Sequence, residues 1–576
     1  MRKSLVLLLI ITFGIFSSCN DEFLEKTPLG VVGENQLANA KGVEALLIGA
    51  YSLLDGIGTS GNGNWQAAAS NYVYGSIASD DAYKGTDAGD QVPQTDIERY
   101  VHTPANVYFN NKWRTVYDGV SRANDVIRIA GKAEDIPQAR LTEITAEARF
   151  IRGHFHFDAA QVFRNIPYVD ENVEDFTILG NSGTPWDQIE ADFQFAIDNL
   201  PVARSQPGRA DQWTAKAYKA KVHMFQQEYS EAKTLLDDIL NNGPFELMDC
   251  YHDNYRIAGN NNAESIFEVQ SSVNDGTNGE NGNYGDVLNY PYTGGPGTCC
   301  GFHQPSQNLV NAHKTDPNTG LPLLDTFNEE DVVNDEGLAS SDPFEEHTGT
   351  LDPRLDWSVG RRGIPYLDWG DHPGDNWIRD QAFGGPYAPK KNVFYQSEQG
   401  SLSTASGWAQ GPNANNIRII RLAHIMLWRA EIAVEENDLE VARDLVNQLR
   451  RRARDGCYVL EGGAEDDGSH VGPNGETPAA NYFIEEYSEP WTDQATARQA
   501  VRFETRLEFA MEGNRFFDLV RWGIADRVLN EYLEVERTKR AYLVGAQFQS
   551  GKNEIYPIPL NQLDVMPNLV QNPGYQ

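Results

Sequence analysis

The run GRRGIPYLDWGDHPGDNWIRDQ, which starts at Gly360, sets Tyr366, Trp369 and Trp377 among Arg361, Arg362, Asp368, Asp371, Asn376 and Arg379. Flat aromatic faces beside guanidinium, amide and carboxylate groups suit a molecule with apolar C–H faces and a rim of hydroxyls, the build of a sugar ring. The same residue types recur in other stretches that lack helical periodicity. Trp65, Tyr72, Tyr74 and Tyr83 stand early in the chain; Tyr284, Tyr290, Tyr292, Trp357, Tyr387 and Trp408 stand later. Aromatics in such stretches are the better candidates, because those on helices fill the core. The candidate ligand contacts are therefore Trp65, Tyr72, Tyr83, Tyr284, Tyr290, Tyr292, Trp357, Arg361, Tyr366, Trp369, Asn376, Trp377 and Trp408.

Covalent chemistry has no comparable support. The chain contains no HExxH, GxSxG or P-loop, so the common hydrolase and nucleotide-binding signatures are missing. Adjacent carboxylates such as Asp80 and Asp81 are expected by chance in so acidic a chain, and their spacing gives no cross-cleft distance. Asp80, Asp81, Asp87 and Asp90 together could hold a structural calcium ion, although they do not follow EF-hand spacing. His154 and His156, two apart on a helix, point their side chains away from each other, so no metal pair is expected there. The expectation is a binding protein with no catalytic residues, no metal and no cofactor beyond that calcium.

The elements that must position these residues are mainly helical. Leu37, Ala40, Val43, Leu46, Leu47, Ala50, Tyr51 and Leu54 recur at helical spacing. NKWRTVYDGVSRANDVIRIA does the same through Trp113, Val116, Tyr117, Val120, Ala123 and Ile127. AEARFIRGHFHFDAAQVF is apolar nearly all round, which predicts a helix buried among others, stopped by Pro167. In TPWDQIEADFQFAIDNLP, Thr184 is the expected N-cap and Pro185 the first-turn residue. Two segments, from Asp211 and from Ile420, share one plan: an amphipathic helix, a short polar break and a second helix. Tyr229 and Ala232 in one occupy the offsets of Leu439 and Ala442 in the other. That is the grammar of tetratricopeptide units, where a small alanine lets helices approach closely. Between about residues 270 and 415, Gly, Pro, Asn, Asp and aromatics replace helical periodicity. The aromatics favour an ordered, loop-rich subdomain over disorder.

Charge and the N-terminus bound the location. With 83 acidic against 47 basic residues the net charge is −36, and no basic block occurs, which argues against nucleic acid as a partner. MRKSLVLLLIITFGI has the charge-then-apolar layout of a secretory signal and is too short to span a bilayer comfortably. Small Ser17 and Ser18 then precede Cys19, and acids follow in CNDEFLEKTP. A lipid-carrying Cys19 would anchor the mature chain stably if it bore more than one acyl chain. The other cysteines, Cys250, Cys299, Cys300 and Cys457, allow one or two disulfides whose connectivity the sequence leaves open, a vicinal Cys299–Cys300 bridge among them.

Taken together, the lipobox with CNDEFLEKTP, SDDAYKG from Ser79, AEARFIRGHFHFDAAQVFRNIPYV, FETRLEFAMEGNRFFDLVRWG from Phe503 and IYPIPLNQLDVMPNLVQNPGY resemble the SusD/RagB family of outer-membrane nutrient-uptake lipoproteins. The order is right and the span is nearly the whole mature chain. The resemblance implies a helical tetratricopeptide-like scaffold carrying a large loop-rich, aromatic-rich insertion. It implies a non-catalytic, surface-exposed lid that captures oligosaccharides for a TonB-dependent, SusC-like barrel, with tetratricopeptide-like units facing that barrel. It places ligand contacts in the early loop and the insertion without picking residues. A peptide-binding lid of the RagB kind and a structural or adhesive surface lipoprotein are the other readings. The expected organisation is a signal peptide (1–18), a lipidated tether (19–35), an N-terminal helical region (36–270), a variable ligand-binding region (271–415) and a C-terminal helical region with a closing segment (416–576). In EFAMEGNRFFDLVRWG, Glu508, Glu512, Arg515, Asp518 and Arg521 are spaced to pair along a helix, which reads as a structural ion-pair network.

Overall fold

The structure is a computed structural model that describes residues 33–58, 64–204, 206–277, 279–297, 299–404 and 411–576. Cys19 and Trp408 lie outside the described residues. The first long helix, α1 (Ala40–Tyr51), starts where the Asn39 side chain accepts from Gly42 N at 3.0 Å and buries Val43, Leu47 and Ala50. Helix α2 (Val107–Ala130) is capped in the same way by Asn106. Helix α3 (Gln138–Phe163) is buried on nearly every side, as its all-round apolar sequence predicts. It ends shortly before Pro167, where Arg164 takes a positive φ of 60°. Helix α4 (Trp186–Asn199) has Pro185, not Thr184, at its N-cap position and makes no side-chain cap. The expected cap is thus displaced by one residue.

The two repeat-like segments form matching helical pairs. Helices α5 (Gln212–Gln226) and α6 (Tyr229–Asn242) are followed later in the chain by α7 (Leu422–Glu435) and α8 (Leu439–Asp455). Both breaks use one device: Gln227 and Asn437 each take φ 60°, two residues before the next helix starts. Ala232 and Ala442 are fully buried, and α6 packs against α7, so the second pair covers the apolar face left by the first. Helices α9 (Gln494–Glu508), α10 (Arg515–Arg521) and α11 (Ala525–Glu536) complete the scaffold.

Among the described residues, three two-stranded antiparallel ladders hold the loop-rich insertion in place. Strands β2 (Ser265–Val269) and β6 (Ile417–Arg421) pair where the insertion leaves and rejoins the helices. Strand β1 (Ala82–Gly85) pairs with β3 (Phe302–Pro305), tying the early segment to the insertion. Strands β4 (Val359–Gly360) and β5 (Ala388–Pro389) close it internally. The insertion has its own core of Val287, Leu288, Tyr290, Phe302, Tyr366 and Phe394, beside the larger helical core. Two disulfides form, one between the neighbours Cys299 and Cys300 and one between Cys250 and Cys457, whose Cα atoms are 5.0 Å apart. The second closes a span of 207 residues. Cys250→Ser/Cys457→Ser is expected to lower stability by about 2–5 kcal/mol, read as an earlier urea midpoint; an unchanged midpoint contradicts this.

A buried ion-pair network joins insertion to scaffold. Glu508 accepts from Arg354 (2.9 Å), Arg421 (2.5 Å) and Arg452; Glu504 accepts from Arg354 (2.6 Å) and Arg450 (3.1 Å). Glu264 takes Arg421 (2.7 Å), and Glu512 takes Lys391 (2.8 Å) and Arg421 (3.2 Å). The expectation of pairing along one helix holds only for Asp518 with Arg521 (2.8 Å), because α9 ends at Glu508 and the chain turns before α10. The other members reach partners far away in sequence. Arg515 and Arg506 bind Asp80 (2.8 and 3.2 Å), and Arg506 also binds Asp81 (3.1 Å), so two of the sequence motifs meet in a salt bridge.

This network sets one limb of the pH dependence. Burial alone would raise the Glu512 carboxyl, but the Lys391 and Arg421 charges outweigh it and hold Glu512 down to about 2. A depressed carboxylate contributes stability above its unfolded pKa, about 4.3, and loses that contribution as pH falls toward the folded value. Glu512→Gln should therefore flatten the loss of stability between about pH 4.5 and 2 in urea titrations; an unaltered acid limb contradicts the assignment. Asp55 and Glu98 act with the opposite sign. Burial raises each to about 7, so each contributes stability that is lost as pH rises through that value.

Candidate ligand-binding face

Tertiary structure divides the sequence-predicted contacts into three groups. Tyr72, Tyr83, Tyr290, Tyr366 and Arg361 are buried. Arg361 makes a two-pronged pair with Asp356 (2.6 and 2.9 Å), Tyr290 donates to Gly411 O, and Tyr83 and Tyr366 hydrogen-bond to Glu536 and Pro389 O. Their rings and charge hold the fold, so direct ligand contact is withdrawn for these five. Trp357 and Trp369 are half-buried in the insertion. Their indole N–H groups donate to the Cys457 and Phe394 carbonyls, and Trp357 stacks on His252 at 4.3 Å. The third group is Trp65, Tyr284, Tyr292 and Trp377, half-buried like those two, with Asn376, which is exposed.

Contacts link this third group into one band. Trp65 packs against both hydrophobic cores, placing it on the seam between scaffold and insertion. Tyr284 lies across that seam, where Gly285 comes so close to Ala68 that a Cβ would sit 2.9 Å from the alanine methyl. The Trp65 indole hydrogen-bonds to the Tyr108 hydroxyl, which donates to Gln91 (2.7 Å) and accepts from Gln94 (2.7 Å). From Gln91 the chain runs back through Asp90 and Asp87. Both carboxylates bind Arg379, at 2.7 and 2.8 Å, and that guanidinium lies over the Tyr292 ring at 4.9 Å. Tyr292 N donates to Trp377 O at 2.9 Å. The Trp377 indole lies on Gly294 and Gly295, whose φ values are +68° and +53°; a Cβ on either would strike the ring. Asn376 is exposed beside it.

The turn that carries Asp87 and Asp90 is fixed from beneath. Lys84 is buried and donates to the carbonyls of Asp87 (2.7 Å) and Asp90 (2.6 Å), and its burial lowers its pKa to about 8. This accounts physically for the lysine in SDDAYKG. The four acids considered for calcium do not converge: Asp80 and Asp81 face Arg506 and Arg515, while Asp87 and Asp90 share Arg379. His154 and His156 also have separate partners, Tyr218 (2.9 Å) and the Val169 amide (3.1 Å). Glu190, His223 and Glu228 come together elsewhere, but the carboxylates approach opposite nitrogens of the imidazole, at 3.8 and 2.7 Å.

Sequence reasoning missed Tyr108, Gln91 and Thr293 as parts of the band. Tyr108 sits on a helix and reads as core, while Thr293 shows itself only through its bond to Asn376 O (2.5 Å). The Gly-Gly pair after it was the available signal for a ring lying on backbone. A separate cleft of 440 Å³ lies along α2, between Trp113, Tyr117, Phe176 and Met566. None of the sequence-predicted contacts lines it. Two smaller hollows of 30 and 50 Å³ have room for water and none for a sugar ring.

A helical-repeat scaffold with an aromatic face at the junction of an early loop and a loop-rich insertion defines a class of binding protein. This chain belongs to the SusD family: the family's sequence profile matches residues 263–575, and a second profile, described as starch-binding and associating with the outer membrane, matches residues 34–224. A SusD-like protein, P25, of Formosa agariphila is 23% identical, with 99% of each chain covered. A SusD superfamily protein from Bacteroides vulgatus superposes with a TM-score of 0.67 at 20% identity, covering 93% of this chain and 98% of that one. Surface glycan-binding protein A from Bacteroides thetaiotaomicron, solved in complex with laminarihexaose, gives 0.62 at 20% identity, with 93% and 99% covered. At these identities the superpositions establish the shared fold. No described helix is long and apolar enough to cross a membrane.

Proposed function

We propose that this protein captures oligosaccharides at the cell surface and passes them, unmodified, to a SusC-like TonB-dependent barrel in the outer membrane. The observation that carries this reading is the grouping of aromatics at the junction, Trp65 and Tyr284 on the seam, tied through buried Tyr108 and the Gln91–Asp87 turn to Arg379, Tyr292, Asn376 and Trp377. It offers half-buried ring faces for stacking and fixed donors and acceptors for hydroxyls. Family membership and the laminarihexaose complex of a structural neighbour support the same ligand class. Calorimetry of the mature chain against a panel of glycans and peptides tests it. Heat with at least one glycan is expected; heat with peptides alone, or with neither, contradicts it.

The surface location rests on Cys19 as a lipidated first residue. Cys19→Ala is expected to leave the thermal unfolding midpoint of the purified protein unchanged and to move it out of the outer-membrane fraction. Retention of the variant in that fraction, in cells lacking the barrel, contradicts the lipid anchor.

A further inference from the structure

Charge along the band narrows the ligand class, on the footing that glycans bind there. We infer that the ligand is a neutral glycan and that this face turns away sulfated and uronate-rich chains. Each cation in contact with the band is already engaged. The Arg379 guanidinium is shared among Asp87 (2.8 Å), Asp90 (2.7 Å) and the Thr86 hydroxyl (2.9 Å). Arg362, behind Asn376, donates to the carbonyls of Ala339 (3.3 Å), Ser340 (2.9 Å) and Asp342 (2.6 Å). Lys84 is buried against two carbonyls.

Carboxylates, in contrast, remain in excess. Asp87 and Asp90 carry a single guanidinium between them, and Asp371 and Asp375 stand exposed in the segment that holds Trp377. A sulfate or uronate stacked over Tyr292 and Trp377 would meet this cluster with no unengaged cation in contact with the band among the described residues to offset it. A like-charge pair at ~4 Å costs about 1 kcal/mol even in water, and the protein's net charge of −36 adds to the repulsion. A neutral ring meets the opposite situation. Carboxylates only accept hydrogen bonds, and sugar hydroxyls can donate them, so an acidic rim becomes a set of acceptors. An exposed arginine without a carboxylate partner among the described residues, Arg114, lies in the α2 cleft, which Gly58 of the early loop also lines. It gives an anionic ligand an alternative place away from the band.

The test compares neutral glycans (laminarin, amylopectin, xylan, mannan) with anionic ones (alginate, chondroitin sulfate, carrageenan) on the mature full-length chain, at low and high salt. The expected result is binding of at least one neutral glycan, with Kd changing less than about twofold between ~0.02 M and ~0.5 M salt. Anionic glycans are expected to bind at least about tenfold more weakly, and Asp87→Asn/Asp90→Asn to narrow that gap to below about threefold. Equal or tighter anionic binding that weakens with salt overturns the inference, and loss of that binding in Arg114→Gln would move the site to the α2 cleft. An unchanged gap in the aspartate variant overturns its assignment to this cluster. Silence with every glycan of either charge overturns the glycan reading itself, and the inference with it.

Discussion

Glu508→Gln is expected to lower unfolding stability by about 3–5 kcal/mol, the largest effect of any single substitution in the buried network. Glu508 is fully buried and faces three guanidiniums, from Arg354, Arg421 and Arg452. Its carboxyl is held far below the usual range, because those charges outweigh the effect of burial. Glutamine keeps the shape but removes the charge, leaving arginines in a dry interior with too few carboxylates. The neighbouring acids cannot compensate, since Glu264, Glu504, Glu512 and Asp352 already serve the same arginines. An exposed pair on α11 supplies the control: Glu531, 3.3 Å from Arg527, should cost no more than about 0.5 kcal/mol when replaced by glutamine. Urea denaturation reads both values. A Glu508→Gln loss as small as the control would mean that the network is not a structural keystone.

The position of Glu508 also gives this effect a functional side. Arg354 and Lys391 come from the insertion, whereas Glu504, Glu508 and Glu512 come from α9 and the turn after it. The network is therefore the polar joint on which the proposed binding face sits. Partial loosening should make the insertion more susceptible to proteolysis before the helices unfold.

Trp65→Ala and Trp377→Ala should each weaken glycan binding by about tenfold or more, which corresponds to about 1.4 kcal/mol or greater. Each removes the stacking surface at one end of the band. The two ends are joined through Tyr108, Gln91, Asp90 and Arg379, so a ligand that lies along the whole band should lose more in the double variant than in either single one. Trp491→Ala, which removes an indole packed on Tyr487 in the helical scaffold, should leave the affinity unchanged. Calorimetry gives the affinities, and far-ultraviolet circular dichroism verifies that each variant is folded. Full affinity in both Trp65→Ala and Trp377→Ala would place the ligand elsewhere.

The helical scaffold could be read from the sequence because its signals are local. Asn39 and Asp211 start helices within three residues of the amides they cap, and Ala232 and Ala442 mark the same offset in two repeats. The proposed binding face was legible only as a pool of residue types. Tyr72 and Trp65 both stand in irregular sequence seven residues apart, yet one is fully buried and the other rides the seam. What separates them is long-range: β3 brings the His303 ring to 5.2 Å from Tyr72, and Gly285 lets the insertion close onto Ala68. The acids of EFAMEGNRFFDLVRWG show the same limit, since helical spacing points to partners three or four residues away and the actual ones lie up to hundreds of residues distant.

A crystal structure of the mature protein soaked with the tightest-binding oligosaccharide from the glycan panel tests the central claim most directly. The account predicts a saccharide stacked on Trp65 or Trp377, with hydroxyls bonded to Asn376 or to the Asp87–Asp90–Arg379 cluster. An ordered saccharide in the α2 cleft beside Trp113 and Arg114, with the band bare, would contradict it.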